Sequence, residues 1–328
     1  MRTQACLPSN ISSGFRSFFN SSLLISILIC SIIIVIVWKD IYLHQIDNLF
    51  YINLAKGEPV IAPFSGRIFY PNVVYLIHKF SGLTLDHAFA LSNSIALLVF
   101  IFSITALIKS ITSNVAITIP IIFTPFLIFS FRNIYYPDLF SAALTGLFFL
   151  LLYRSLFWLS LFLLLLVYLT RENALLLCLA MVGVAFYKSK IRLALAAMVV
   201  MIMAIFFTSI AARRGLPLPY QINTLLYMVF KVGKNFLYNV FGILIWTNVY
   251  PDAGHPYLTL SLPTWLPLGK LHSIGITPVQ PLRPLNTITL LLTTFGVTPP
   301  LLLIALLKHG KRIFSEGPFW LLVAIIYG

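Results

Sequence analysis

Charge is what this chain has least of. Only 9% of its 328 residues are Asp, Glu, Lys or Arg, and the acids number 8 against 22 bases. Cysteine is sparse too: Cys6, Cys30 and Cys178 are scattered, two of them inside apolar runs. Without a CxxC or a Cys/His cluster, neither a disulfide framework nor a zinc site is indicated. There is no internal repeat, no low-complexity tract and no soluble-domain boundary. A formal charge of +14 with no basic stripe interleaved with aromatics gives nucleic acid no footprint.

What fills the space is hydrocarbon. Apolar residues make up 60% of the chain and the mean hydropathy is +0.98, values outside the range of soluble domains. Charge-free runs of about twenty residues recur, the length needed to cross a hydrocarbon core of about 30 Å. Backbone groups there have no water to bond, so each run should be helical. The expectation is an all-α polytopic membrane protein with about nine or more transmembrane helices. Spans fall near 22–38, 88–108, 114–131, 138–153, 155–170, 173–187, 191–212 and 286–307, with a partial one from Pro318. No small-residue cleavage pattern follows the first span, which reads as a retained anchor.

With a cytoplasmic N-terminal segment over 1–21, the short inner links carry Lys109, Arg154, Lys188, Lys190, Arg192, Lys308, Lys311 and Arg312. That is the positive-inside pattern. Asp40, Asp47, Glu58, Asp86, Asp138, Glu172 and Asp252 then fall on the outer side and only Glu316 inside. Acids contribute little to orientation, so this bias suits an outer-face function. Two outer segments are long. Residues 39–87 are mixed polar and aromatic. Residues 213–285 are proline-rich after Tyr250, and 223–250 reads as a helix lying in the outer interface with Lys231 and Lys234 reaching water. Residues 286–328 read as further transmembrane helices that stop half a span after Pro318, as in a piece of a longer protein.

Three outer stretches carry the reactive residues. In "WKDIYLHQIDNLFYINLAKGEPVIAPFSGRIFYP", Asp40, His44, Asp47 and Tyr51 follow helical spacing on a short helix leaving the membrane. A carboxylate there can accept a proton from a hydroxyl, or the stripe can be a cap and a wet face. Arg67 in the same stretch suits a phosphate or a snorkelling role. In "FRNIYYPDLF", Asp138 opens a helix, where dipole and capping favour an acid. In "YLTRENALLL", Thr170 and Glu172 read as the start of the next helix. Arg171 then opposes that helix's dipole, a conflict relieved by a phosphate or by an ion pair with Asp138 or Asp47.

Taken together these stretches resemble the GT-C superfamily of integral-membrane glycosyltransferases, over Ser22 to about Ala212. The resemblance rests on Asp47 in the first outer loop, Asp138 in the second ("YYPD") and Arg171 in the third ("LTRENALLL"); "R-x-x-x-P" from Arg67 to Pro71 is similar to bacterial members. It implies a GT-C-like transmembrane module over 22–212, with juxtamembrane helices in its first loop. The donor it implies is a sugar on a polyprenyl phosphate at the outer leaflet, and the acceptor a hydroxyl on a glycan, lipid or protein. Transfer would invert the anomeric centre and serve the cell envelope, from a bacterial inner membrane. Asp47 would be the general base with Asp40 as rival, Asp138 would assist, and Arg171 would hold the leaving phosphate. Glu172, Arg67, His44 and Tyr70 would complete substrate binding. Ile46 stands where an adjacent acid would make a pair, and hard-cation spacing is absent locally, so no metal is assigned, although a divalent ion assists some members.

Two other readings compete. An O-antigen polymerase or ligase would use Arg213, Arg214, His255, His272 and Arg283 of the 213–285 loop. A non-catalytic transporter or scaffold would instead place charges near the bilayer midplane, and the spans carry none there.

Overall fold

Apolar runs satisfy their backbone groups by coiling, and most of the described residues follow that rule. The computed structural model describes residues 10–37, 48–61, 64–111, 125–171, 174–187, 191–214, 237, 243–247, 258–261 and 273–278. The helices are α1 (Asn10–Val37), α2 (Asn48–Ala55), α3 (Phe69–Ser81), α4 (Leu85–Ile111), α5 (Pro125–Arg132), α6 (Asp138–Tyr153), α7 (Phe157–Thr170), α8 (Ala174–Tyr187) and α9 (Ile191–Arg214). A 3₁₀ turn covers Phe64–Gly66. By length and composition, Leu85–Ser110 and Ile191–Ala211 are apolar enough to cross a membrane. Ser21–Ile36, Asp138–Tyr153 and Phe157–Thr170 are shorter apolar helices. The spans expected near 22–38, 88–108, 138–153, 155–170, 173–187 and 191–212 fall on helices, and 114–131 does so from Pro125 onward. Residues 286–328 lie outside the described residues.

Six hydroxyls inside these helices are satisfied without leaving them. Ser26, Ser94, Ser103, Ser110, Thr170 and Thr208 each donate to the carbonyl four residues earlier. This back-bonding lets a helix carry polar atoms through apolar surroundings. Helix breaks are equally local. Gly82, at φ +70°, ends α3 with its N–H on the His78 carbonyl. Ser155, at φ +61°, turns α6 into α7, a conformation that L-residues adopt rarely.

α4 packs against α6 and α1, α6 against α7, and α8 and α7 against α9. One core joins α1 through α6 around Tyr51, Tyr70, Phe89, Leu97, Phe131 and Tyr135. A second joins α6 to α9 around Phe148, Leu164, Leu177 and Ala197. The outward faces stay apolar: Val35 is 77% exposed and Trp158 78%. At one end, Lys109 Nζ donates to Ser21 Oγ, Tyr153 to the Ser110 carbonyl (3.0 Å) and Arg154 Nη2 to Ser110 Oγ (3.2 Å).

The all-α expectation needs one correction. Strands β1 (Ile243–Thr247), β2 (Leu258–Ser261) and β3 (Ser273–Pro278) form an antiparallel sheet in the order β1-β3-β2. Ile245 pairs with Ile276, and Trp246 faces Gly275, which in turn faces Thr259. Within the interfacial helix expected over 223–250, residues 243–247 are therefore a strand, and 238–242 and 248–250 lie outside the described residues. A short apolar run cannot be assigned to helix or strand by apolarity alone, and the β-branched and aromatic residues of "ILIWT" favour the pleat. The earlier part of that expected helix, 223–236, lies outside the described residues.

α4 and α6 meet closely where Gly146 faces Ser103, since a Cβ at position 146 would lie 3.2 Å from the Ser103 Cβ. Gly146→Val should therefore lower unfolding stability by about 1–3 kcal/mol through overpacking. Thermal unfolding of the detergent-solubilised protein measures this, and an unchanged midpoint would contradict the tight α4–α6 contact.

Candidate active site

Of the residues singled out by the sequence, Tyr51, Arg67, Tyr70, Asp138 and Arg171 are described, and they lie at the end of the bundle opposite Lys109 and Arg154. Asp138 is the first residue of α6, directly after Pro137. Arg171 follows the last residue of α7, in extended conformation at φ −150° and ψ 127°, its N–H on the Val167 carbonyl at 2.8 Å. An Nη1 of Arg171 forms an ion pair with Oδ1 of Asp138. The side chains are 32% and 22% exposed, so the pair is partly open to a ligand.

This geometry adds a second helix end to the environment of Arg171. Its carbonyl accepts from the N–H of Ala174 at 3.2 Å, beside the start of α8, and the residue also caps the C-terminus of α7. A cation at a helix C-terminus and an acid at a helix N-terminus are both favoured by the peptide dipoles. Thr170 is not a cap for the next helix; it is the buried last residue of α7 and donates to the Leu166 carbonyl at 2.7 Å. The apparent conflict in "LTRENALLL" is thus relieved by an ion pair across two neighbouring helix ends. Glu172 lies outside the described residues.

In the loop after α1, Asp40, His44 and Asp47 lie outside the described residues, and α2 begins at Asn48 immediately after Asp47. Tyr51, expected on a wet helical face, is fully buried and accepts a hydrogen bond from Arg67 Nη1. Arg67 is only 7% exposed and lies over the Phe64 ring, 5.1 Å from its centroid, and 6.0 Å from that of Tyr51. It neither snorkels nor offers an exposed clamp. Cation–π contact and the tyrosine hydroxyl accompany its burial. Tyr70 is also fully buried, and its hydroxyl donates to the Ile134 main-chain carbonyl. Burial, with Tyr51 nearby, pushes its pKa well above the usual tyrosine value. It therefore packs as a tether and has no surface to present to a substrate.

The tether belongs to an aromatic layer that sequence spacing did not reveal. Tyr51 packs on Tyr136 at 5.5 Å, and Tyr70 on Phe140 at 5.0 Å and Phe89 at 5.7 Å. Tyr135 reaches Asp86 Oδ1 at 3.0 Å, and Asn93 Nδ2 the Phe131 carbonyl at 2.8 Å. These contacts fasten α2 and α3 to the 131–140 turn, within two residues of Asp138 along the chain. The one available signal was composition: "FRNIYYPDLF" and "FSGRIFYP" are aromatic-rich, but nothing in one dimension pairs them. The 3₁₀ turn also packs on α9, where a Cβ at Gly66 would lie 3.7 Å from Thr208.

First loop, second turn, third turn and the end of α9 therefore converge. Chemically, a partly exposed guanidinium held by a carboxylate can contact an anion, because guanidinium carries more donors than one carboxylate oxygen uses. No group of three or more His, Cys, Asp or Glu residues suited to a metal ion occurs among the described residues.

Tyr70→Phe should lower stability by about 1 kcal/mol, the worth of one neutral hydrogen bond, without altering any ligand affinity. Calorimetric unfolding combined with a binding titration checks both halves; a selective loss of affinity would make Tyr70 a contact residue.

Compared with family models, curated proteins and solved structures, the chain matches none.

Proposed function

We propose that the chain is a membrane glycosyltransferase acting on the extracytoplasmic face, moving a sugar from a polyprenyl-phosphate donor to an acceptor hydroxyl with inversion. The observation that supports this reading best is the convergence at one bundle end. The Asp138–Arg171 pair meets the loop that follows Asp47, while Lys109 and Arg154 gather elsewhere with Ser21 and Ser110. That separation agrees with the positive-inside orientation. The exposed apolar faces of α1, α7 and α9 suit a hydrocarbon environment, and short helices on either side of the two long ones suit a polytopic arrangement.

In the proposed reaction Asp47 accepts the proton of the acceptor hydroxyl, with Asp40 as the alternative base. The acceptor oxygen bonds to the anomeric carbon as the bond from that carbon to the phosphate oxygen breaks. The departing polyprenyl phosphate gains negative charge, which Arg171 stabilises more in the transition state than in the ground state. Asp138 holds that guanidinium in place, which makes it a positioning residue. Arg67, buried beneath Phe64 and Tyr51, stiffens the loop that follows Asp47.

Arg171→Met should lower transfer by about 10²–10³-fold, with Arg171→Lys less severe. Asp47→Asn should lower it by about 10²–10⁴-fold. Envelope glycans analysed from a strain lacking the gene identify the sugar, and complementation with each variant reads the loss. If Arg214→Ala or Arg283→Ala abolishes activity while Asp47→Ala is tolerated, the long outer segment carries the chemistry and the proposal fails.

Orientation has its own test. With single cysteines introduced by Asp138→Cys, Arg171→Cys, Lys109→Cys and Lys190→Cys, an impermeant maleimide applied outside the cell should react at the first two positions only. The opposite pattern would invert the topology and remove the outer-face assignment.

A further inference from the structure

A cleft of about 760 Å³ opens between the first loop and the last turns of α9, and none of the residues given a role in the proposed transfer step lines it. The loop side carries three polar residues, Glu58, Ser65 and Asn72, among the apolar Leu54, Pro59, Val60 and Ile68, whereas the α9 side, Phe207, Ile210 and Ala211, is wholly apolar. Ser65 is only 4% exposed, and its Oγ has no hydrogen-bond partner. A buried hydroxyl left unpaired is costly, so one that borders a cavity points to a polar ligand atom. The apolar wall is continuous along α9 with Phe206 and Ile202, both strongly exposed. A ligand fitting both walls has a polar head against the loop and an aliphatic chain along α9.

The sign of the charge narrows the head. Glu58 is the one charged residue among the described lining residues, and its carboxylate repels a phosphate. The amide of Asn72, the hydroxyl of Ser65 and the carboxylate of Glu58 form a set suited to sugar-like hydroxyls. We infer that this cleft binds an amphiphile with a neutral, hydroxyl-rich headgroup, its hydroxyls on Ser65, Asn72 and Glu58 and its chain along Phe207 and Ile210. This rests on the glycosyl-transfer reading only in making the cleft the acceptor side; the binding itself requires no turnover.

Photolabelling of the full chain in phosphatidylcholine nanodiscs tests the inference. The two probes are dodecyl glucoside and dodecyl phosphate, each with a diazirine in the alkyl chain. Peptide mapping should find the glucoside on segments containing 58–72 and 207–211, with little phosphate there. Ser65→Ala and Asn72→Ala should each weaken glucoside labelling about fivefold, as expected for one neutral hydrogen bond. Glu58→Lys should raise phosphate labelling at these segments roughly fivefold. Thermal unfolding of each variant separates lost binding from lost fold. If any variant misfolds, competition of wild-type labelling by unmodified dodecyl glucoside but not dodecyl phosphate establishes the same headgroup preference. Equal labelling by both probes, or glucoside labelling elsewhere, overturns the inference. Cleft labelling with no glycan change on gene deletion leaves the binding site standing and removes the transfer reading. Arg171-dependent transfer without cleft labelling does the reverse.

Discussion

An ion pair between the start of α6 and the end of α7 organises the reactive end of this protein. Asp138 and Arg171 are 33 positions apart in sequence, and each lies where its own helix dipole favours its charge. The two helices are antiparallel neighbours joined by the tight turn through Ser155, so their far ends must meet. In a chain with so little charge, a cation and an anion at adjacent helix ends stabilise one another better than either would alone. Partial exposure keeps the guanidinium able to contact a further anion. That combination of anchoring and access is what a phosphate-handling role requires.

Around the pair, the loops are held by aromatic packing. Arg67 beneath Phe64 and Tyr51, and Tyr70 against Phe89 and Phe140, turn the first outer loop into a layer pressed on the 131–140 turn. Such a layer lets polar side chains sit beside a largely apolar bundle without being stranded: Arg67 reaches a hydroxyl and a ring face, and Tyr70 a carbonyl. The cleft beside Ser65 lies on the α9 side of this layer and has Glu58 in its lining.

Much of the helical framework was legible in one dimension. Charge-free runs near 88–108, 138–153, 155–170 and 191–212 coincide with helices because the requirement that creates them, satisfaction of the backbone without water, acts locally. Asp138 as the first residue of a helix was legible for the same reason: a Pro and an acid are start signals. The strand at Ile243–Thr247 was not, since its apolar pattern fits either geometry and pairing with Ser273–Pro278 decides between them. Nor was the burial of Tyr51, whose spacing with Asp47 reads as a wet face until Arg67 and Tyr136 are seen against it.

By itself the sequence determined the dominance of helix among the described residues, the scarcity of charge within the apolar runs, and the identity of the few residues able to do acid–base or anion chemistry. All of these depend on composition and on spacing within a single segment. Tertiary structure decided which of those residues meet. It paired Arg171 with Asp138, withdrew Tyr70 and Arg67 into the packed layer, and opened a cleft at Ser65. Contacts between segments depend on how helices register against one another, and that is set by side-chain shape over many positions, as at Gly146 and Ser103, which no local pattern encodes.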